Sequence, residues 1–226
     1  MTYPKVHPGV FLARPNRFLA RVEIGGRETL CHVKNTGRCR ELLIPGAAVW
    51  CQAHHDPRRK TGWSLITVQK GAALFNLDSQ VPNRLAAQWV QDGGLGAKPE
   101  NLRREQTWGD SRFDLAFTLR DTPCLLEVKG VTLEEHGTAR FPDAPTARGA
   151  RHLRGLAAAV AAGLEAYVLF VCQMAGVRQV EPNRRADPVF AQALQDAAEA
   201  GVHILAVDCA VTPDAIQAAG PVPVVL

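Results

Sequence analysis

No apolar run in the sequence approaches the roughly 20 residues needed to span a bilayer, so a membrane-spanning helix is not expected. The first residues, MTYPKVHPGVFLARP, show no charged stretch followed by an apolar signal core, and the expected location is the cytoplasm, with no membrane partner. Cys-x-x-Cys pairs are absent as well. Cys31, Cys39, Cys51, Cys124, Cys172 and Cys209 are scattered among strand-like segments, which argues against a zinc site or a disulfide framework. Charge bias is slight: a formal net charge of +4 is compatible with a nucleic-acid partner without requiring one. There is no internal repeat, and the one biased segment, GLAAAVAAGLEA, offers small residues for close packing on a sheet.

What is present suffices for a packed core, since 46% of the 226 residues are hydrophobic. Residues 1–81 carry short strand-like runs, among them RFLARVEI, ETLCHVK, AAVWCQAH, WSLITVQ and AALFNL. Turn signals at Gly25-Gly26, Asn35–Gly37 and Pro45-Gly46 separate them. Short strands in this number point to a small OB-like β-barrel. From Pro82 the pattern changes to helical spacing in PNRLAAQWVQDG, ended by Gly93-Gly94, and a second domain is expected over 82–226. Its order reads strand or loop (103–108), strands (113–119, 124–133), helix (146–162), strand (166–173), helix (187–200) and strand (202–207). That alternation predicts an α/β domain whose last crossovers are parallel. The run VHILAVDC after Gly201 has the character of a buried strand, which argues against a helix-turn-helix there.

The stretch SRFDLAFTLRDTPCLLEVKG places Asp114, Glu127 and Lys129 inside two otherwise apolar strands. Glu127 and Lys129, two apart, share a strand face. With a four-residue loop over Arg120–Pro123, Leu119 pairs with Cys124, Asp114 stands opposite Lys129, and Glu127 lies on the diagonal. Two carboxylates so close repel unless a cation neutralises them, and Lys129 supplies one positive charge. A Mg²⁺ (or Mn²⁺) ion balances the cluster better, and hard oxygen ligands beside a lysine suit metal-assisted phosphodiester hydrolysis. The same residues also permit a solvated cross-strand charge pair of little energetic weight.

Asp114, twelve intervening residues and then Glu127-Val128-Lys129 resemble the PD-(D/E)xK nuclease core, in which the Asp and Glu bind metal and the Lys assists hydrolysis. Longer stretches are more specific: NTG at 35–37, GDSRFDLAF at 109–117, LEVKGVTL at 126–133 and FPDAPTARGARHLRGL at 141–156. Together they resemble the sugar fermentation stimulation protein A family, with echoes over nearly the whole chain in RPNRFLARV, DPRRKTGWS and DPVFAQALQDAAEAGV. The resemblance implies an N-terminal OB-like barrel, a C-terminal α/β domain of PD-(D/E)xK nuclease type, DNA-binding character and a regulatory role in sugar (maltose) metabolism. It also implies catalytic roles for Asp114, Glu127 and Lys129. Metal binding is implied at Asp114, Glu127 and Val128, with Glu105 as an additional acidic position. The sequence departs from the family's usual wording at Gly130, commonly Asn, and at Pro145, commonly Val.

Basic residues suggest how a nucleic acid would be held. In helix 146–162, Arg148 and His152 are four apart and Arg151 lies beside them, which predicts a cationic face. Asp143 and Thr146 are placed to cap that helix. Arg14, Arg17, Arg59 and Lys60 occur near Phe18 and Trp63, giving charges for phosphates and rings for stacking, and Arg112 adds a charge beside Asp114. His54 and His55 beside Asp56 lack a well-spaced third ligand and read as a polar turn. Three functional readings stay open: a metal-dependent nuclease-like DNA-binding protein, a non-catalytic DNA-binding regulator, and an RNA-binding or RNA-processing protein.

Overall fold

The computed structural model describes residues 1–35 and 37–226; Thr36, in the middle of the NTG stretch, lies outside the described residues. Strands β1 (Val6–Asn16), β2 (Leu19–Ile24), β3 (Arg27–Val33), β4 (Ala48–Ala53), β5 (Trp63–Lys70) and β6 (Ala73–Asn76) make the first sheet. Its order is β3-β2-β1-β4-β5-β6, and a parallel pairing of β3 with β5 closes five strands into a barrel. The short strands obey a period of two: in β2, Ala20 and Val22 are fully buried between exposed Arg21 and Glu23. Gly9 is required where β1 passes β2, because a Cβ there would lie 2.7 Å from the Glu23 carbonyl oxygen.

The rest of the chain contributes α1 (Val81–Gln91), β7 (Glu100–Trp108), β8 (Ser111–Leu119), β9 (Thr122–Val131), β10 (Leu133–Glu135), β11 (Thr138–Phe141), α2 (Ala147–Ala161), β12 (Glu165–Cys172), β13 (Gln179–Pro182), α3 (Pro188–Glu199), β14 (His203–Thr212) and β15 (Ala215–Pro221). The main sheet runs β15-β14-β12-β9-β8-β7, with β10-β11-β13 as a small separate sheet. Strands β9, β12 and β14 are mutually parallel, as the expected crossovers require, while β7-β8-β9 is an antiparallel meander and β15 returns beside β14. Leu115, Phe117, Leu126, Val128 and Leu169 pack with α1 residues Val81, Leu85 and Val90 on one side. Leu125, Val168 and Phe170 pack on the other with Leu153 and Leu156 of α2 and Phe190 and Leu194 of α3, and this cluster continues into the barrel interior. An OB-type barrel followed by an α/β domain is therefore the architecture, as expected from the sequence.

Two expectations are corrected here. The β8–β9 connection is a two-residue turn, Arg120-Asp121, with φ of 48° and 65°, and it pairs Leu119 with Thr122 and Phe117 with Cys124. Positive φ at both central positions is the geometry whose twist matches the flanking strands. Pro123, which reads as a turn residue, instead sits at the start of β9 opposite Thr118. The register is thus two residues from the expected one. Because two is the strand period, the paired residues Leu115 to Leu119 keep their faces, but Asp114, beyond the last ladder pair, moves from Lys129 to the level of Glu127 and Val128. The second correction concerns the strand expected over 124–133: β9 ends at Val131, and Leu133 instead begins the β10–β11 hairpin.

Candidate metal centre

The hydrogen-bonded ladder between β8 and β9 runs as far as Leu115 and Leu126. Beyond it the Asp114 side chain takes over the pairing: its Oδ2 accepts from the Val128 backbone N–H at 2.8 Å. Its Oδ1 accepts from Asn83 Nδ2 of α1 at 2.6 Å. Pro82 and Val81 fix the first turn of that helix against the sheet, so Asn83 is presented from a rigid element. Gly130 allows the approach, since a Cβ there would lie 2.7 Å from Pro82 Cγ.

Glu127 is buried, 4% exposed, in the middle of β9. Its Oε1 receives two donors, Lys129 Nζ and His152 Nδ1, each at 2.6 Å. Its Oε2 is buried without a hydrogen-bond partner among the described residues. Burying a carboxylate oxygen unpaired is costly, which makes Oε2 the group in the centre that most lacks a partner. Burial, and then the negative charge of Glu127, push the Asp114 carboxyl above the ordinary aspartate value. The Val128 N–H, Lys129 and Asn83 oppose that rise. Two acids and one lysine thus leave an excess of negative charge around an unsatisfied oxygen.

The structure brings Asp114, Glu127, the Val128 backbone and Lys129 together. Glu105 is not joined to them by any contact: it is exposed on β7, with φ of 55°, and pairs with Arg112 across the hairpin at 3.4 Å. Among the described residues, no three His, Cys, Asp or Glu side chains are grouped as a metal cage. Any cation here would be held by two carboxylates supplemented by backbone oxygen and water, an arrangement typical of Mg²⁺ sites.

His152 corrects the expectation of an exposed cationic helix face. It is 2% exposed and lies over the sheet against Glu127 and the edge of the Phe113 ring. Four residues is slightly more than one helical turn, so His152 rotates from the exposed side at Arg148 to the border of the Leu153–Leu156 stripe. Arg148 and Arg151 remain exposed, and Arg148 Nε donates back to His152 Nε2 at 3.3 Å. Sequence reasoning missed Asn83, and a lone Asn in the first turn of an amphipathic helix gives no signal of its task.

On the barrel, Arg17 and Phe18 are exposed, with the guanidinium 4.7 Å from the ring centroid. Arg14 directs its terminal nitrogens to the carbonyls of Arg17, Asn35 and Arg38, fixing the loop rather than standing free. Arg59 and exposed Lys60 border a groove of about 410 Å³ that also contains His32 and Lys34. His54 and His55 lie between β4 and β5, and His54 Nε2 is paired with Ser64 Oγ at 2.9 Å. Thr146 caps α2 as expected, accepting from Gly149 N at 3.0 Å. Asp143 does not: its Oδ2 accepts from the Arg38 backbone N–H, so the FPDAPT segment meets the barrel loop that follows NTG.

Family models match both halves of the chain. Residues 12–77 match the SfsA N-terminal OB domain, and residues 80–215 match the sugar fermentation stimulation protein RE domain. The chain belongs to the sugar fermentation stimulation protein family. It is 51% identical over 218 residues to the sugar fermentation stimulation protein homolog of Desulfitobacterium hafniense (strain Y51), covering 96% of this chain and 95% of that one. The homolog from Clostridium beijerinckii is 47% identical over 226 residues, covering 100% of both chains. The structure of Pyrococcus furiosus SfsA in complex with Ca²⁺ superposes with a TM-score of 0.88 at 28% identity, covering 100% of this chain and 98% of that chain. The resemblance carried by NTG, LEVKGVTL and FPDAPTARG is thereby borne out at the level of the family. Among the described residues, no helix is long and apolar enough to cross a membrane.

Proposed function

We propose that this member of the family is a divalent-metal-dependent nucleic-acid phosphodiesterase acting on DNA, with Mg²⁺ or Mn²⁺ as its cation. The observation that carries the reading is the buried, unpartnered Glu127 Oε2 beside Asp114, whose carboxyl is raised by burial and then by that same neighbour's charge. Such a pair gains most from a hard cation. The Ca²⁺ in the Pyrococcus furiosus SfsA complex supports this, Ca²⁺ being a hard, oxygen-bound cation of the same charge.

Asp114 and Glu127 Oε2 would hold the cation, with Val128 contributing through its carbonyl, because its side chain is apolar and its N–H is already given to Asp114. When bound, the cation polarises a phosphate and lowers the pKa of water in its shell. Lys129, held beside Glu127, orients an attacking water and offsets charge developing on the phosphate oxygens. Asn83 keeps Asp114 turned toward the pair. The exposed Arg17–Phe18 pair, Lys60 and Arg151 supply phosphate and stacking contacts for the bound strand. The family name associates these proteins with sugar fermentation, and a regulatory role would follow from DNA binding.

The test is cleavage of matched single- and double-stranded DNA and RNA in Mg²⁺ or Mn²⁺, with binding measured over a salt series. Wild-type protein is expected to cut DNA, with activity lowered about 100-fold or more in Lys129→Ala and abolished in Asp114→Asn. Salt-sensitive DNA binding without cleavage under either cation, and without cation binding, would instead establish a non-catalytic DNA-binding protein. Preferential cleavage of RNA would reassign the substrate.

A further inference from the structure

The reading of Asp114 and Glu127 as metal ligands leaves unexplained a buried histidine that faces the carboxylate instead of the solvent. His152 contacts Glu127 Oε1 through Nδ1 at 2.6 Å and Arg148 Nε through Nε2 at 3.3 Å. The protonation pattern follows from the partners. An arginine Nε–H can only donate, so Nε2 must accept, and the neutral ring then carries its proton on Nδ1 and donates it to Glu127. The edge contact with Phe113, at 5.8 Å between centroids, restrains the ring further.

We propose that Arg148 and His152 are positioning residues that hold Glu127 in its metal-binding orientation, an inference that rests on the metal reading of the site. Lys129 and His152 both donate to Oε1, which fixes the carboxylate's rotation and keeps Oε2 clear. The usual outer-shell logic of metal sites has a carboxylate orienting a ligating histidine. Here the roles are exchanged: the histidine orients the ligating carboxylate, and the arginine holds the histidine ring from its far side through Nε2. Arg148, predicted as a phosphate contact, therefore also acts inward.

Two readouts on the full chain test this without using activity. In ¹H–¹⁵N spectra of the metal-free protein, the His152 ring is expected as the single Nδ1–H tautomer, and its Nε2 resonance is expected to shift in Arg148→Ala, where that nitrogen loses its donor. By calorimetry, Mn²⁺ affinity is expected to fall about 10–100-fold in His152→Ala and to recover largely in His152→Asn, whose amide NH₂ can replace the Nδ1 donor. If His152→Ala does not fold, Arg148→Ala, at an exposed residue, and the wild-type ring decide. An Nε2–H ring in the wild type, or Mn²⁺ affinity unchanged in folded His152→Ala and Arg148→Ala, overturns the proposal while leaving the metal site standing. A flat wild-type titration overturns both.

Discussion

Asp114 is pulled in opposite directions by its surroundings. The Val128 N–H and Asn83 amide favour its ionised form, yet burial and the charge of Glu127 outweigh them and raise its pKa. The folded protein therefore binds this proton more tightly than the unfolded chain. Its contribution to stability is fully present below the ordinary aspartate pKa and is lost as pH rises through the raised folded value. In chelator, thermal stability should fall over that window on the way to neutral pH. Asp114→Asn should flatten the fall and stabilise the metal-free protein at neutral pH by roughly 0.5–2 kcal/mol, the usual gain when a functional strain is removed. The Asn83 amide can flip to accept from the new NH₂, so the change leaves both polar groups paired. A metal-free Asp114→Asn protein with an unchanged pH profile and a lower Tm would contradict the account. At this scale the sequence was informative about Asp114, Glu127 and Lys129, because charge inside an apolar run is unusual. It was silent about Oε2 of Glu127, whose isolation depends on His152 and Lys129 arriving from two directions.

The elements that carry these residues are held by local signals, some readable and some not. Helix α2 was legible nearly to its ends because Thr146 precedes an amphipathic run, and α3 because Asp187-Pro188 is a cap followed by proline at the first helical position. The β8–β9 register was not: Arg120-Asp121 lacks the Asn-Gly signature of a two-residue turn, and Pro123 mimics a loop residue. The error was two residues, so the paired residues Leu115 to Leu119 kept their faces while every opposing partner changed. Strand β7, ENLRREQTW, is polar except at Leu102 and Trp108 because it lies at the sheet edge, which hides the alternation that marks a buried strand. One capping residue serves two elements: Asp187 Oδ1 accepts from Phe190 N at 2.8 Å, and its Oδ2 accepts from Thr146 N at 2.7 Å. Asp187 thus ties the start of α2, and with it His152, to the start of α3. Asp187→Ala should cost about 2 kcal/mol, at the upper end for a cap, while Thr146→Ala costs about 1 kcal/mol. Denaturant midpoints at constant m-value would measure both, and equal losses would argue against the shared cap.

At the scale of the molecule, the sequence shows two compositional halves but not how they are joined, because the joining contacts are far apart along the chain. Thr2 bridges to Ala215, Phe75 to Met174, and Gln173 Nε2 donates to the carbonyls of Asn76 and Asp78 at 2.9 and 3.1 Å. At the centre of this junction Asp78, 1% exposed, pairs with Lys34 Nζ at 3.0 Å and accepts from Gln80 N at the start of α1. The polar junction sits beside an apolar cluster that runs from the barrel interior to the α2–α3 side of the second sheet. A continuous core of this kind couples the halves, so both should unfold in one transition. Trp50 and Trp63 report on the barrel and Trp89 and Trp108 on the second domain, which allows fluorescence of single-tryptophan variants to follow each half separately. Coincident curves are expected in otherwise wild-type protein. Asp78→Ala leaves a largely buried ammonium and a helix-start N–H without their acceptor, and should cost about 3–5 kcal/mol, the range for breaking a buried pair from one side. Because the apolar cluster persists, the barrel and second-domain curves should shift together. Separation of the two curves in Asp78→Ala would show instead that the polar junction, and not the shared core, couples the barrel to the second domain.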